Sequence, residues 1–435
     1  MGETKPAISV DHPVALSDQA LKIALSGFPP DAIVEIETRR RDLQHRPWRA
    51  WARFRTDGAG TLDLTAEAPL EGSYEGVSAM GLFWSAVLEE AAPSDAPAQD
   101  ITAGITVRLT ARALEGDAAA TTEVRRLFTG PGVTSRELRE RGLVGRLFLP
   151  AGLGPHPTMI VLAGSSGGLN LPVSALLASH GYAALALGTF NMPGLPSSLV
   201  EIPLEYFERA IDWLAGQAAV DQRFIGVTGV SRGGELALLL GATFPSLRAV
   251  VAIVPSGVVH AGIGRSASGG DVAAWTHRGE PLPYLQENNR CTDNAIVDWA
   301  LAPVATTPIF ESSLRDEEAV ERAMIPVERI KGPVLMISGG DDLMWPSAAL
   351  SNLVLRRLEA HSHPYPYAHL SYPGAGHMIF PPYAPTTQRH AAHRVIGTDF
   401  AFGGSAAADA EAGEDSWRRV LSFLEAAVES AKAAA

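Results

Sequence analysis

The chain has 435 residues, of which 46% are hydrophobic, and its formal net charge at pH 7 is -13. This length predicts two hydrophobic cores, because single domains seldom grow beyond about 250 to 300 residues. The negative charge argues against non-specific nucleic-acid binding. The single cysteine, Cys291, excludes both an intrachain disulfide and a cysteine-rich metal site.

The start of the chain, Met1 to Pro6, lacks the basic and apolar regions of a secretory signal. No apolar run reaches the roughly 18 residues that a membrane-spanning helix requires. Together with the low cysteine content, these features predict a cytoplasmic protein without a membrane span.

Residues 1–130 predict an antiparallel β-sandwich of the immunoglobulin-like kind. Short segments alternate between apolar and polar residues, and stretches rich in proline, aspartate and glycine separate them. The predicted strands include 21–25, 33–38, 61–64 and 105–109.

Residues 131–435 show a different sequence pattern, in which segments typical of strands alternate with segments typical of helices. This alternation predicts a mainly parallel sheet with helices on both faces. The predicted strands are 158–163, 182–187, 224–228, 248–253, 333–338 and 368–372, and the predicted helices are 171–180, 200–217, 232–244, 346–359 and 415–431. The segment 255–331 interrupts the alternation with many glycine, proline and polar residues, and we interpret it as a lid over the active site.

The most informative motif is Gly229-Val230-Ser231-Arg232-Gly233, which lies between a predicted strand and a predicted helix. This arrangement is typical of the nucleophile elbow of α/β-hydrolases, in which a sharp turn exposes the serine hydroxyl above the sheet. A second Gly-x-Ser-x-Gly match, 164–168, is followed by a segment that delays any helix. We therefore predict Ser231 as the nucleophile and interpret 164–168 as a glycine-rich loop with another role.

Asp342 and His377 follow Ser231 in the order that α/β-hydrolases use, which is nucleophile, acid and histidine. Each of the two lies in a turn directly after a predicted strand, and the carboxyl ends of strands line the active site in open α/β sheets. The sequence therefore predicts a Ser231, Asp342 and His377 triad for acyl transfer, which requires no metal and no other cofactor.

Simpler interpretations of these residues stay open. Asp341 and Asp342 could cap the helix that follows them, and His377 could be an exposed loop histidine. The conjunction of three residue types in hydrolase order favours the triad. Other histidines, namely His361, His363 and His369, are interpreted as solvated, and the first two are poorly spaced for metal binding.

Acyl transfer also requires two N–H donors for the oxyanion, one after the nucleophile and one in the loop after an early strand. The N–H of Arg232 is the first candidate, and the N–H of Ser165 or Ser166 is the second. The alternative is that 164–168 is a turn without a catalytic role.

Longer motifs accompany these residues. They are 72–84, 203–208, 229–238, 325–330, 340–345 and 372–383. Through them the chain resembles the acyl-CoA thioesterase / bile acid-CoA:amino acid N-acyltransferase family. The resemblance implies a serine or cysteine nucleophile with aspartate and histidine, here Ser231, Asp342 and His377. Asp342 rather than Asp341 follows from the family's use of the second aspartate, and serine goes with the hydrolytic members.

The chain departs from the family pattern in three places. Arg232 replaces the usual lysine, and Ser165-Ser166 replaces part of a more glycine-rich loop. The segment between elbow and acid is longer, with 266–271 and 292–307 as candidate extra residues. This segment would wall the acyl tunnel.

The predicted function is serine-dependent hydrolysis of an acyl-CoA or similar acyl thioester to free acid and CoA. The predicted partner is thus a small-molecule thioester, borne by CoA or by a carrier protein. The alternatives are an acyltransferase that uses an amine or alcohol acceptor, a carboxylesterase, and a non-catalytic binding protein with the same fold.

Overall fold

The computed structural model describes residues 5–90, 96–264, 271–286, 297, 299 and 301–433. Cys291 and the candidate extra residues 266–270, 292–296, 298 and 300 lie outside the described residues. The chain divides into two compact units, one formed by 1–130 with 380–388 and the other by 131–379 with 389–435. The short segment 380–388 therefore belongs with the amino-terminal unit.

The first unit consists of two sheets. One has the order β1 (Ala7–Val10), β3 (Ile23–Ser26) and β6 (Leu62–Asp63). The other has the order β2 (Val14–Leu16), β10 (Ala119–Leu127), β9 (Ile105–Ala113), β4 (Ile33–Arg41), β5 (Pro47–Arg55) and β7 (Glu71–Gly72), with β8 (Val87–Leu88) also paired to β5. The short helices of this unit are α1 (Gly81–Trp84) and a 3-10 turn, Ile101–Ala103.

Alternating side chains explain these strands. In β4 and β5 every second residue is buried, and Val34 pairs with Phe54 while Ile36 pairs with Ala52. This period of two places one face of each strand against the core. All pairs in the unit are antiparallel except β2 with β10, which confirms the predicted fold class of the amino-terminal region.

The second unit is built on an eight-stranded sheet. Its order is β11 (Thr134–Glu140), β12 (Leu143–Leu149), β14 (Ala183–Leu187), β13 (His156–Leu162), β16 (Val220–Val230), β17 (Leu247–Ile253), β20 (Val334–Gly339) and β21 (Tyr367–Tyr372). β12 is antiparallel to both of its neighbours, and all strands from β14 to β21 are parallel.

Helices and short strands complete this unit. The helices are α2 (Leu171–Ser179), α3 (Glu205–Ala215), α4 (Arg232–Thr243), α5 (Thr307–Ser313), α6 (Glu317–Ala323), α7 (Ser347–Ala360) and α8 (Ala406–Ala433), with a 3-10 turn at Val327–Arg329. The small strands are β15 (Ile202–Pro203), β18 (Trp275–His277) and β19 (Glu280–Pro281) in one sheet and β22 (His390–Ala392) and β23 (Asp399–Ala401) in another.

The mainly parallel sheet with flanking helices confirms the predicted fold class. The six predicted strands are present, because continuous apolar runs such as β13 and β14 are buried on both faces. The strands β11 and β12 were not among the predicted strands. β11 is largely polar and exposed, and β12 carries a glycine and an arginine, so neither has a strong strand pattern.

Two predicted helices have other limits. The helix predicted from 200 begins at Glu205, because Ile202 and Pro203 pair with Trp275 and Thr276 as a short parallel ladder. The last helix begins at Ala406, which is earlier than predicted. None of the helices in the described ranges is long and apolar enough to cross a membrane.

The described parts of 255–331 contribute to the core. Val258, Trp275 and Ile325 are almost completely buried. Backbone hydrogen bonds connect the two ends of this segment. They run from the Val259 N–H to the Ala323 carbonyl and from the Ile325 N–H to the Gly257 carbonyl. Much of the segment is therefore packed protein, and its role as a lid stays a prediction.

A buried ion pair joins this segment to the first turn of α4. Arg232 Nη1 lies 2.8 Å from Glu235 Oε2, and Glu235 Oε1 accepts a hydrogen bond of 3.0 Å from the Trp275 indole. Arg232 Nη2 donates to the carbonyls of His260 and Ala261. Glu235 is completely buried and Arg232 is 7% exposed, so both charges depend on these partners.

We expect Glu235→Gln to destabilise the protein by about 3 to 5 kcal/mol, because it leaves the buried Arg232 charge without its counter-ion. Urea unfolding would measure the change. The matched control is Glu318→Gln, since Glu318 pairs with Arg322 at 2.6 Å on the surface. There the expected loss is about 1 kcal/mol or less. Equal losses in the two variants would contradict this role of the pair.

Candidate active site

Ser231 lies in the turn between the end of β16 and the start of α4. Its backbone has φ 58° and ψ −123°, a conformation that residues other than glycine rarely adopt. The Ser231 N–H donates to the Ile253 carbonyl at 2.8 Å, and the Ser231 carbonyl accepts from the N–H groups of Gly234 and Glu235. These bonds hold the turn that places the hydroxyl at the carboxyl edge of the sheet.

The glycines around Ser231 allow backbone segments to approach closely. A Cβ on Gly229 would lie 2.1 Å from the Gly233 carbonyl oxygen, and a Cβ on Gly233 would lie 2.4 Å from that of Ala163. A Cβ on Gly164 would be 3.9 Å from Ser231 Oγ. The two Gly-x-Ser-x-Gly motifs of the sequence therefore meet at the nucleophile.

Asp342 and His377 are hydrogen-bonded to each other. The distance from His377 Nδ1 to Asp342 Oδ2 is 2.8 Å, and both residues are buried. The other carboxylate oxygen, Oδ1, accepts from the N–H groups of Met344 and Trp345. A carboxylate only accepts, so the proton of the neutral ring is on Nδ1 and Nε2 is free to act as a base.

Ser231 and His377 lie at the same edge of the sheet, because β16, β20 and β21 are parallel. Among the described residues, no hydrogen bond connects the Ser231 hydroxyl with the His377 ring. Catalytic hydrogen bonds of this kind often tighten only when a substrate is bound. The edge of Trp345 packs on the His377 ring at 6.1 Å between centroids and limits its movement.

Three residues that the sequence analysis missed support the acid and histidine loops. Thr307 Oγ1 donates to the Asp342 carbonyl at 2.7 Å. Asp409 Oδ1 accepts from the Gly376 N–H at 2.7 Å, and its other oxygen pairs with Arg389. Burial raises the pKa of Asp409, which Arg389 opposes. These contacts are formed across 20 to 35 residues of sequence, so no local pattern indicates them.

The predicted oxyanion donors come from two segments, the first turn of α4 and the loop 164–168. The N–H of Arg232 is at the first position of α4, where a helix has no internal acceptor. No described residue accepts a hydrogen bond from the N–H of Arg232, Ser165 or Ser166. The loop that carries Ser165 and Ser166 is held by a bond of 3.0 Å from Asn191 Nδ2 to the Ser166 carbonyl.

Two of the remaining histidines correct the expectation of solvated side chains. His363 is buried, and its Nε2 lies 3.3 Å from the Gly332 carbonyl. His369 is half-buried between Ser338 Oγ at 2.7 Å and Asn352 Oδ1 at 3.0 Å, and burial lowers its pKa. Of the three histidines 361, 363 and 369, His361 alone is exposed, as expected. Within the described ranges, no group of three histidine, cysteine or acidic residues could hold a metal ion.

Comparison with known proteins extends the likeness over most of the chain. Residues 18–140 match the model of the acyl-CoA thioester hydrolase/BAAT N-terminal region, and residues 202–430 match that of the BAAT / acyl-CoA thioester hydrolase C terminal. The chain belongs to the acyl-CoA thioester hydrolase/BAAT family. This confirms the family that the motifs indicated.

Several members of the acyl-CoA thioester hydrolase/BAAT family are similar over nearly their full length. Acyl-coenzyme A thioesterase 1 of Homo sapiens is 32% identical, with 94% of this chain and 93% of that protein covered. Mitochondrial acyl-coenzyme A thioesterase 2 of Mus musculus is 33% identical, with 94% and 86% covered. Acyl-coenzyme A amino acid N-acyltransferase 1 of Mus musculus is 31% identical, with 94% and 95% covered.

In this family member we expect Gly233→Ala to lower kcat/KM at least about 100-fold, because the new Cβ would push α4 and the elbow away from the end of β13. Steady-state assays on an acyl-CoA would measure the loss. The control is Gly58→Ala, since nothing lies within 4 Å of a Cβ at Gly58. Normal activity of Gly233→Ala would show that the elbow tolerates the displacement.

Proposed function

We propose that this chain is a serine-dependent acyl-CoA thioesterase, which hydrolyses its substrate to a free acid and CoA through an acyl-enzyme. The observation that carries the proposal is the Asp342–His377 hydrogen bond at the same sheet edge as the strained elbow of Ser231. The family membership supports the choice of substrate, since relatives over 94% of the chain are named acyl-coenzyme A thioesterases.

The first half of the proposed reaction forms the acyl-enzyme. Ser231 Oγ attacks the thioester carbonyl carbon and gives its proton to His377 Nε2, while Asp342 stabilises the resulting imidazolium. The N–H groups of Arg232 and of Ser165 or Ser166 stabilise the oxyanion. The carbon–sulfur bond then breaks, and His377 returns the proton to the sulfur of CoA.

The second half releases the acid. His377 accepts a proton from a water molecule while the oxygen of that water attacks the ester carbonyl of the acyl-enzyme. The bond to Ser231 Oγ breaks, and His377 returns the proton to that oxygen. In sum, one acyl-CoA and one water are consumed, and one free acid and one CoA are produced.

The proposal extends to the organisation of the chain. We infer a β-sandwich domain over 1–130 and a catalytic domain over 131–435 that includes the segment 255–331. The division into two compact units supports this except at 380–388, which groups with the first unit. The cytoplasmic location stays a prediction.

We expect Ser231→Ala to lose at least about 1,000-fold in kcat on acyl-CoA, because the hydroxyl supplies the nucleophile. Release of free CoA would be measured over several acyl chain lengths. A fluorophosphonate probe should label the wild-type protein at Ser231 and leave Ser231→Ala unlabelled.

A matched control for this variant is Ser371→Ala, in which an exposed serine of β21 is changed. It should keep the wild-type rate and the fluorophosphonate label. Release of CoA by Ser231→Ala at the wild-type rate would refute the proposed mechanism.

A second candidate is transfer of the acyl group to an amine. It is favoured by the 31% identity to a protein named as an amino acid N-acyltransferase. Transfer would use the same triad with an amine in place of water in the second half of the reaction.

Product analysis distinguishes the two reactions. With saturating glycine or another amine present, we expect mass spectrometry to find free acid as the main product, because serine goes with hydrolysis in the resemblance described above. An N-acyl amide as the main product would establish transfer instead. Hydrolysis of simple esters with no activity on acyl-CoA would indicate a carboxylesterase.

A further inference from the structure

We propose that His393 is a positioning residue for the oxyanion loop, which we define as 164–168. In this proposal its ring fixes Ser165 so that the N–H groups of the loop face the carbonyl oxygen of the substrate. The inference rests on the proposed function, because it assigns a role to the same site.

The hydrogen bonds of His393 define its tautomer. Nδ1 accepts from the N–H groups of Val395 and Ile396, each at 3.2 Å, so it carries no proton. The proton of the neutral ring is therefore on Nε2, which lies 2.9 Å from Ser165 Oγ. His393 thus donates to the serine hydroxyl, and the direction of this bond is set by the two backbone donors on the other side of the ring.

The surroundings of His393 keep the ring neutral and fixed. The residue is 7% exposed, and burial lowers the pKa of its imidazole. The ring packs edge-on against Phe400 at 6.0 Å between centroids. The backbone of the turn is closed by a bond of 2.8 Å from the His393 N–H to the Thr398 carbonyl and by one of 2.7 Å from the Gly397 N–H to the His393 carbonyl.

The oxyanion loop has few other restraints at Ser165. Within the loop, the Gly167 N–H donates to the Gly164 carbonyl at 3.1 Å, and Asn191 binds the next carbonyl, that of Ser166. In the part of the chain that the structure describes, no other side chain hydrogen-bonds to Ser165. The Gly164 carbonyl and the Ser165 N–H belong to one peptide group, so the bond from Gly167 restrains that N–H. The next peptide group, formed by the Ser165 carbonyl and the Ser166 N–H, has no hydrogen bond among the described residues. By holding the Ser165 side chain, His393 restrains that peptide, and a rotated peptide would turn the Ser166 N–H away from the oxyanion.

Three variants separate the two sides of the histidine ring. His393→Asn places an amide oxygen near the position of Nδ1, which keeps an acceptor for Val395 and Ile396 but removes the donor to Ser165. His393→Gln places an amide N–H near Nε2 and restores that donor. Ser165→Ala removes the acceptor and leaves the backbone N–H of the loop in place.

The readouts are kcat and KM on an acyl-CoA and the binding of two inhibitors. One is a trifluoromethyl ketone analogue of the acyl-CoA, which forms an oxyanion adduct with the nucleophile. The other is a thioether analogue, which has no carbonyl at the reacting position and reports binding of the substrate alone. A merely structural role of His393 would weaken both inhibitors, whereas positioning of the oxyanion loop affects only the ketone.

For His393→Asn and Ser165→Ala we expect kcat to fall about 10- to 100-fold with KM changed less than about twofold, because one oxyanion donor is misplaced. Ketone binding should weaken by the same factor, and thioether binding should not change. The double variant should be no worse than either single variant, and His393→Gln should recover most of the activity. The control is His390→Asn, an exposed histidine of the same hairpin, which should behave as wild type.

Two results would overturn the inference. One is wild-type kcat in Ser165→Ala or in His393→Asn, and the other is an equal loss of binding for the two inhibitors. Ser231→Ala, measured in parallel, distinguishes this failure from failure of the proposed function. An inactive Ser231→Ala beside a fully active Ser165→Ala would remove only the role of His393, whereas an active Ser231→Ala would remove both.

Discussion

The geometry of the site depends on the close approach of three backbone segments around Ser231. The end of β16, the first turn of α4 and the end of β13 approach so closely that there is no room for a side chain at Gly229 or Gly233. The positive φ of Ser231 is possible because the neighbouring strand β17 accepts its N–H through Ile253. Such strain is sustained only where the surroundings determine the conformation fully, so the rigid sheet is a condition of the position of the nucleophile at the sheet edge.

The backbone and the side chain of Arg232 have different roles at this turn. Its N–H is one of the donors at the start of α4, while its side chain runs away from the site into a buried pair with Glu235. Trp275 and the carbonyls of His260 and Ala261 complete the surroundings of that pair. The segment after β17 therefore fixes the residue that follows the nucleophile, and it also contacts the acid loop through Thr307.

Much of this arrangement could be predicted from the sequence, because the residue pattern of a short segment indicates the structure of that segment. The position of Gly229 to Gly233 between a strand and a helix indicates the nucleophile elbow. The positions of Asp342 and His377 directly after strands indicate the acid and the base. The edge strands β11 and β12 were missed, since a polar edge strand lacks an apolar pattern. The roles of Asp409, Thr307 and His393 depend on contacts between distant parts of the chain, and no spacing rule identifies such partners.

The segment from Arg389 to Asp409 hydrogen-bonds both to the loop of His377 and to the oxyanion loop, and it adds no strand to the main sheet. Its Phe402 carbonyl accepts from the His377 N–H at 2.8 Å, and Asp409 holds the preceding peptide. At its other end His393 reaches the oxyanion loop. A base and an oxyanion donor must both be placed within a fraction of an ångström of one carbonyl group. A single segment that hydrogen-bonds to both loops therefore restrains both of these positions.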